Sequence, residues 1–334
     1  MPKILALGEI LLRLSTDVGE LLNSSRQLNA NYGGSEANVA SILSNFGHSV
    51  VFASKLPDSP LGMAALRVLH ANQVDTSAVL FGGERIGIYF LEQGNSLRFS
   101  RVIYDRKASS ICEMNMSEWD LDKLFADVSL FHISGITFAL SEAWHLNGQK
   151  LVQAAYERGI PVSFDINFRQ AMWSLETARK SICPILPMIT YCCANYLDAH
   201  NFFGIDSAQA RPEQMEACYR RIADKYPNIR ALYATNRHVF STSNNELQGI
   251  LWKDGHFVQS KNYRLFPIVD RIGGGDAFVA GILHGILTER PAEVILPFAM
   301  AASLLKHTIS GDWISLSARD IQTWLDSPNS EVKR

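Results

Sequence analysis

Apolar residues along this chain follow two alternating rhythms. Ile4 to Leu7, Val50 to Leu56, Leu130 to Ser134, Val162 to Asp165, Tyr191 to Ala194 and Ala231 to Ala234 are short, nearly uninterrupted runs. Runs of that length and composition suit strands buried on both faces. Between them, Pro60 to Asn72, Glu142 to Glu157 and Leu175 to Leu186 read as helices, the first with proline in its starting turn, where the missing amide has no partner to lose. Regular alternation of strand and helix predicts crossover units on a parallel sheet.

The rhythm breaks after the second helix. Arg85 to Leu91 and Leu97 to Tyr104 are β-rich runs that flank Gln93-Gly94-Asn95-Ser96, a hairpin signal. Ile10 to Leu14 reads as a further short strand. A hairpin interrupting a β and α alternation suggests a small β lid beside the main sheet. It is expected from about residues 10–34 and 84–109, inserted in a single α/β domain over residues 1–334. Val239 to Ser241 with Gly249 to Trp252 reads as another hairpin. Helices are expected over Val279 to Leu287, Ala292 to His307 and Leu316 to Leu325, the last followed by a polar tail.

Composition adds limits. At 334 residues, 47% hydrophobic and 19% charged, the chain can bury a large core. A formal charge of -2 with scattered lysines and arginines leaves no electrostatic footprint for nucleic acid or an acidic membrane, so any anionic ligand must be held by local groups. Cys112, Cys183, Cys192, Cys193 and Cys218 show neither a C-x-x-C pair nor zinc spacing, which argues against a disulfide framework and for a reducing cytoplasm. Apolar Met1 to Leu7 is cut by Gly8, Glu9 and Arg13, and Val294 to Leu305 contains Pro297 and is short for a membrane span, so neither a signal peptide nor a spanning helix is expected.

Two glycine turns carry the candidate chemistry. Asp270-Arg271-Ile272-Gly273-Gly274-Gly275-Asp276 runs into apolar Ala277, Phe278, Ala280, Ile282, Leu283 and Ile286 at helical spacing. A glycine loop feeding a helix N-terminus offers unpaired amides and about half a positive charge, which suits a phosphate. Asp276 at its mouth has a plainer use as a helix cap, but a cap needs one acceptor and not three preceding glycines. The spacing fits neither a Walker loop nor G-x-G-x-x-G. Earlier, Gly33-Gly34-Ser35-Glu36-Ala37-Asn38 precedes Ala40, Leu43 and Phe46 at helical spacing, with Gly47 as a stop.

Asp-x-x-Gly-x-Gly-Asp opening a late helix, with Gly-Gly-x-x-x-Asn near the N-terminus, resembles the two signatures of the ribokinase-like (PfkB) carbohydrate kinases. The resemblance implies an α/β fold with a central, mostly parallel sheet flanked by helices, and a small β-sheet lid. It implies Asp276 as catalytic base, with Gly273, Gly274 and Gly275 as the anion hole. Gly33, Gly34 and Asn38 would lie against the sugar. Tyr89, Tyr104 and Arg106 look like lid residues of 2-keto-3-deoxygluconate kinases, and Arg169 and Asp312 match acid-sugar contacts of that subfamily.

On the nucleotide side the same resemblance implies Asn167 at the phosphates and Asn195 with Asp198 in an Asn-x-x-Glu element that orients Mg²⁺, here with a shortened acid that would act through water. Thr235-Asn236-Arg237 to Thr242 stands where the family has a glycine-containing nucleotide loop; the glycine is missing, and Thr235, Arg237 or Thr242 would supply contacts. Ala301, Ala302 and Ser303 are small enough for an adenine to lie close. Two arginines, Arg106 and Arg169, favour a carboxylate-bearing sugar, because a guanidinium donates two parallel charge-assisted bonds to it.

The reading is an ATP- and Mg²⁺-dependent kinase of the C6 hydroxyl of 2-keto-3-deoxygluconate, with a monovalent cation left open. The alternatives are a kinase of fructose, ribose or a nucleoside, or a non-catalytic sugar-binding regulator of the same fold. A homodimer through the lid, or a higher homo-oligomer, is expected by family analogy, with no nucleic-acid or membrane partner.

Overall fold

The computed structural model describes residues 2–327; the polar tail beyond lies outside the described residues, as does Met1. The first part contains β1 (Lys3–Leu7), β2 (Leu11–Ser15), β3 (Asn29–Gly33), α1 (Ser35–Asn45), β4 (Ser49–Leu56), α2 (Pro60–Ala71), β5 (Val79–Phe81), β6 (Ile88–Glu92) and β7 (Arg101–Asp105). The middle contains α3 (Leu121–Leu124), β8 (Val128–Ser134), α4 (Gly135–Phe138), α5 (Glu142–Glu157), β9 (Val162–Asp165), α6 (Leu175–Ile182), β10 (Tyr191–Cys193), α7 (Tyr196–Phe203) and α8 (Met215–Lys225). The rest contains β11 (Ala231–Ser241), β12 (Asn244–Lys253), β13 (His256–Gln259), β14 (Tyr263–Leu265), α9 (Gly274–Leu287), α10 (Ala292–Lys306) and α11 (Ala318–Asp326).

The main sheet has the order β13-β12-β11-β10-β9-β8-β1-β4-β5, with β14 also on β12. From β11 to β5 every neighbour is parallel, as the alternation predicts. β12, β13 and β14 are antiparallel additions at one edge. Because strand side chains alternate, Leu5 and Leu7 of β1 enter one apolar core while Ile4 and Ala6 enter the other. Helices α5 and α6 bury their apolar faces in the first core; α1, α9 and α10 do so in the second. A separate sheet, β3-β2-β6-β7, draws its strands from both segments expected to form the lid. Among the described residues, no helix is long and apolar enough to cross a membrane.

Several boundaries differ from those expected. Strand β11 does not end at Ala234 but continues to Ser241, so Thr235, Asn236 and Arg237 are strand residues and not a nucleotide loop. The cause is pairing: β12 returns after Thr242-Ser243 and matches Thr235 to Gly249 and Arg237 to Leu247. Gly249 to Trp252 therefore faces Leu232 to Thr235, not Val239 to Ser241. The helix expected to reach Leu186 changes to a 3-10 turn at Cys183–Met188, where Pro184 and Pro187 lack the amides an α-helix needs. Leu97 and Phe99 sit in the loop before β7, 97% and 78% exposed, and β7 begins only at Arg101. Helices α7 and α8 were not foreseen.

Candidate active site

The carboxyl ends of β1 and β9, the N-termini of α1 and α9, and the inner face of the small sheet surround a cavity of about 380 Å³. This is where open α/β sheets place their ligands. Of the residues singled out from sequence, Gly34, Asn38, Tyr89, Tyr104, Arg106, Asn167, Arg169, Arg237, Gly273, Gly275, Asp276 and Asp312 line it. Sequence spacing alone could not bring these together; the crossover topology does.

Helix α9 begins at Gly274 after Gly273, whose φ of 78° suits only glycine readily, and no side chain caps it. A Cβ on Gly273 would lie 1.7 Å from the Asp312 carbonyl oxygen, so the loop carrying Asp312 can press on the turn only because Gly273 has none. A Cβ on Gly34 would likewise meet the Glu9 carbonyl oxygen at 1.9 Å. With the helix uncapped, its first amides are left without side-chain acceptors. Asp276 does not serve as that cap. Its Oδ2 accepts from Asn38 Nδ2 at 2.6 Å and its Oδ1 from Ser35 Oγ at 3.2 Å, both across the gap to α1. Burial raises its pKa to about 6, against the lowering effect of those two donors. Such a carboxylate is ionised at neutral pH yet basic enough to take a proton.

Further carboxylates gather beside it. Burial, followed by the Asp276 charge, raises Asp165 at the end of β9 to about 7. Asn167, held at φ 40°, bonds the Asp165 carboxylate through its own amide at 3.2 Å and reaches Ser35 Oγ with Nδ2 at 3.1 Å. Asp198 is buried and raised to about 6, but one of its oxygens accepts from the Asn195 amide at 3.0 Å. Asn195 in turn caps α7, and neither residue lines the cavity. These are hard oxygen donors of the kind Mg²⁺ prefers, and a cation would relieve the crowding of charge on Asp165. Among the described residues no three His, Cys, Asp or Glu side chains form a metal cage; Asp165 is the one of these carboxylates beside Asp276 that lines the cavity.

The arginines are not equivalent. Arg106 is committed: its Nε lies 2.8 Å from Glu9 Oε2, a second nitrogen donates to the same oxygen, and Ser109 Oγ donates to Glu9 Oε1 at 2.5 Å. The expectation of two available arginines on the sugar side is corrected to one, because Glu9, buried at 3% exposure, neutralises Arg106. Arg169 is exposed and, among the described residues, makes one hydrogen bond, to the Phe168 carbonyl oxygen at 3.4 Å. Tyr104 lies beside Tyr89 and Arg106, its ring 6.0 Å from that of Tyr89 and 5.8 Å from the Arg106 guanidinium. Tyr89 donates to Asp312 Oδ2 at 2.6 Å.

Opposite the carboxylates, Arg237 and Arg271 line the cavity. Burial and then the neighbouring Arg271 charge lower Arg237 to about 10. Arg237 donates to His307 Nε2 at 3.1 Å; the other ring nitrogen of His307 meets the Ser303 carbonyl oxygen at 2.7 Å, which fixes the tautomer. Glu9, Ser35, Asp165 and Arg271 also line the cavity, with no role assigned to them from sequence. Ser35 and Arg271 lie within the two glycine stretches and Asp165 stands two residues before Asn167, whereas no motif marks Glu9.

The remaining candidates do not line the cavity. Gly33 packs on Asp312, and Gly274 on the His307 ring. Thr242 bonds the lid loop, its amide to Ser96 O at 3.2 Å and its hydroxyl to Arg98 O at 2.8 Å. Thr235 pairs with Gly249 inside the sheet. Ser303 is 1% exposed and donates to the Gly274 carbonyl oxygen at 2.8 Å. It holds the glycine turn, and Ala301 and Ala302 are fully buried as well.

The pfkB family carbohydrate kinase profile matches residues 1–318. The chain belongs to this family. A crystal structure of a PfkB family carbohydrate kinase from Listeria grayi is 41% identical with a TM-score of 0.93, covering 97% of this chain and 100% of the other. That of a 2-dehydro-3-deoxygluconokinase from Thermotoga maritima is 35% identical with a TM-score of 0.93, covering 98% and 100%. A 2-dehydro-3-deoxygalactonokinase from Haloferax volcanii is 29% identical over 332 residues, 99% of each chain. This PfkB protein is thus a sugar kinase with the ribokinase-like fold, a mixed sheet with a parallel core and a separate small sheet.

Proposed function

We propose that the protein transfers the γ-phosphoryl group of ATP to the C6 hydroxyl of a 2-keto-3-deoxy sugar acid, 2-keto-3-deoxygluconate foremost. The observation that carries the acid is Arg169, a cavity guanidinium that among the described residues makes no direct ion pair, although its charge acts on Asp276, Asp165 and Asp198 nearby. A sugar carboxylate completes it with two parallel charge-assisted bonds, which a neutral sugar does not. Asp276, aimed by Asn38 and Ser35, takes the hydroxyl proton. The amides of Gly273, Gly274, Gly275 and Asp276 receive charge developing on the transferred group, and Arg237 and Arg271 hold the donor phosphates. Asn167 orients the phosphates from the β9 side. Asp165, the cavity-lining carboxylate, and Asp198 behind it would hold a Mg²⁺ ion, which would supply neutralisation of phosphate charge.

The relatives named for glucono and galactono acids resemble this chain to similar degrees, so both acids belong in the test. ADP release is measured with each keto-deoxy acid, gluconate, fructose and ribose as acceptor. Preference for a keto-deoxy acid is expected; preference for fructose or ribose overturns the reading. The edge strand β7 exposes Val102, Ile103 and Tyr104, and the same reading has a second copy cover it, which sedimentation at assay concentration checks.

A further inference from the structure

Arg13 belongs to β2 of the small sheet, is wholly buried and does not line the cavity. Its guanidinium bridges two buried carboxylates from distant parts of the chain. Nη2 lies 2.8 Å from Asp270 Oδ2, and Nη1 lies 3.1 Å from Asp312 Oδ1. Asp270 opens the glycine turn: its Oδ1 accepts from the Ile272 amide at 3.0 Å and its Oδ2 from the Gly311 amide at 3.1 Å. Asp312 lines the sugar side of the cavity, bonds Tyr89 and rests its carbonyl on Gly273. Lys306, also buried, donates Nζ to the backbone carbonyl oxygens of Asp270 at 3.5 Å and Ile309 at 3.0 Å, and its charge acts on Asp270 and Asp312, so two cations stand near two carboxylates.

We infer that Arg13 is a positioning residue that holds the glycine turn and the Tyr89–Asp312 wall in one register, so that sugar and anion hole meet at the correct separation. The inference rests on the sugar-kinase reading of the cavity. Two features favour positioning over simple stabilisation. Arg13 Nε and Nη1 lack a well-angled acceptor despite complete burial, an arrangement that stability alone would not select. And the two partners are the acids that border the glycine turn, one before it and one packed upon it, where small displacements tell most on rate.

The test uses the full-length enzyme with Arg13→Lys, Arg13→Gln and Asp270→Asn. kcat, sugar KM, sugar affinity by calorimetry and thermal unfolding are measured between pH 5.5 and 9. A lysine keeps the charge but cannot fork between two carboxylates, so Arg13→Lys should lower kcat by about tenfold to a hundredfold while the sugar dissociation constant changes less. In Arg13→Gln, Asp270 and Asp312 face each other with Lys306 as the remaining nearby cation, and one retains a proton. Its kcat profile should therefore gain an ionisation that the wild type lacks. Asp270→Asn breaks the tie from the loop side and should reproduce the kcat loss, which decides the matter if both Arg13 variants fail to fold. Unchanged kcat per folded molecule in these variants, with only lowered thermal stability, overturns the inference. A wild type that phosphorylates none of the acids instead sinks the proposed function.

Discussion

Replacing Asp276 by Asn should separate activity from stability in opposite directions. Burial raises the carboxyl pKa from 3.8 to about 6, a displacement of roughly two pH units, or about 3 kcal/mol between the two protonation states. Because the folded-state value lies above the unfolded one, the native state loses stability as pH rises from about 4 to about 6 and gains none of it back above that. Asn carries no charge to desolvate. It gives up one of the acceptor contacts to Asn38 and Ser35, at about 1 kcal/mol. The net expectation at pH 8 is a variant more stable by about 1 to 2 kcal/mol, seen as a thermal midpoint a few degrees higher, with the advantage gone near pH 4. Turnover should fall by about a hundredfold to ten-thousandfold, the usual contribution of a general base. In the wild type, kcat/KM should decline tenfold per pH unit below about 6, as Asp276 takes up its proton. ADP release with saturating acid sugar, and thermal melts at pH 4, 5 and 8, give both quantities. A purified Asp276→Asn enzyme with undiminished kcat would refute the base, and one destabilised at pH 8 would refute the desolvation argument.

Other substitutions probe single contacts. Arg169→Ala should raise KM for the acid sugar by about tenfold to a hundredfold with little change in kcat, read from steady-state kinetics; equal KM values would remove the carboxylate contact. A Cβ on Gly275 meets nothing within 4 Å, so Gly275→Ala should fold with an unchanged melting temperature yet lose at least about tenfold in kcat, the methyl standing before the helix amides. Glu9→Gln leaves the buried Arg106 charge without its counter-ion and should lower stability by roughly 3 kcal/mol in urea titrations, whereas loss of less than about 1 kcal/mol would make that pair dispensable.

Local signals account for what was legible in advance. The strand and helix alternation depends on periodicity and carries over into β8, α5, β9 and β10 with small boundary shifts. The two glycine turns announce themselves because close backbone approach and a left-handed residue demand glycine. What was hidden depends on partners far away in sequence. That Arg106 is spoken for while Arg169 is free follows from Glu9, which a glycine separates from β1 and which reaches across the cavity to the lid. Thr235 to Arg237 read as a loop because their polar character obscured an antiparallel pairing that only β12 defines. Ser303 looked like a small residue beside a base, and its burial against the glycine turn is a matter of how α10 lies on α9.

A crystal structure with the acid sugar and a non-hydrolysable ATP analogue tests the central claim most directly. The terminal phosphate is expected against the amides of Gly273 to Asp276, and the C6 hydroxyl within hydrogen-bond reach of Asp276. A terminal phosphate lodged elsewhere in the cavity, or an Asp276 carboxylate turned away from the hydroxyl, would contradict it.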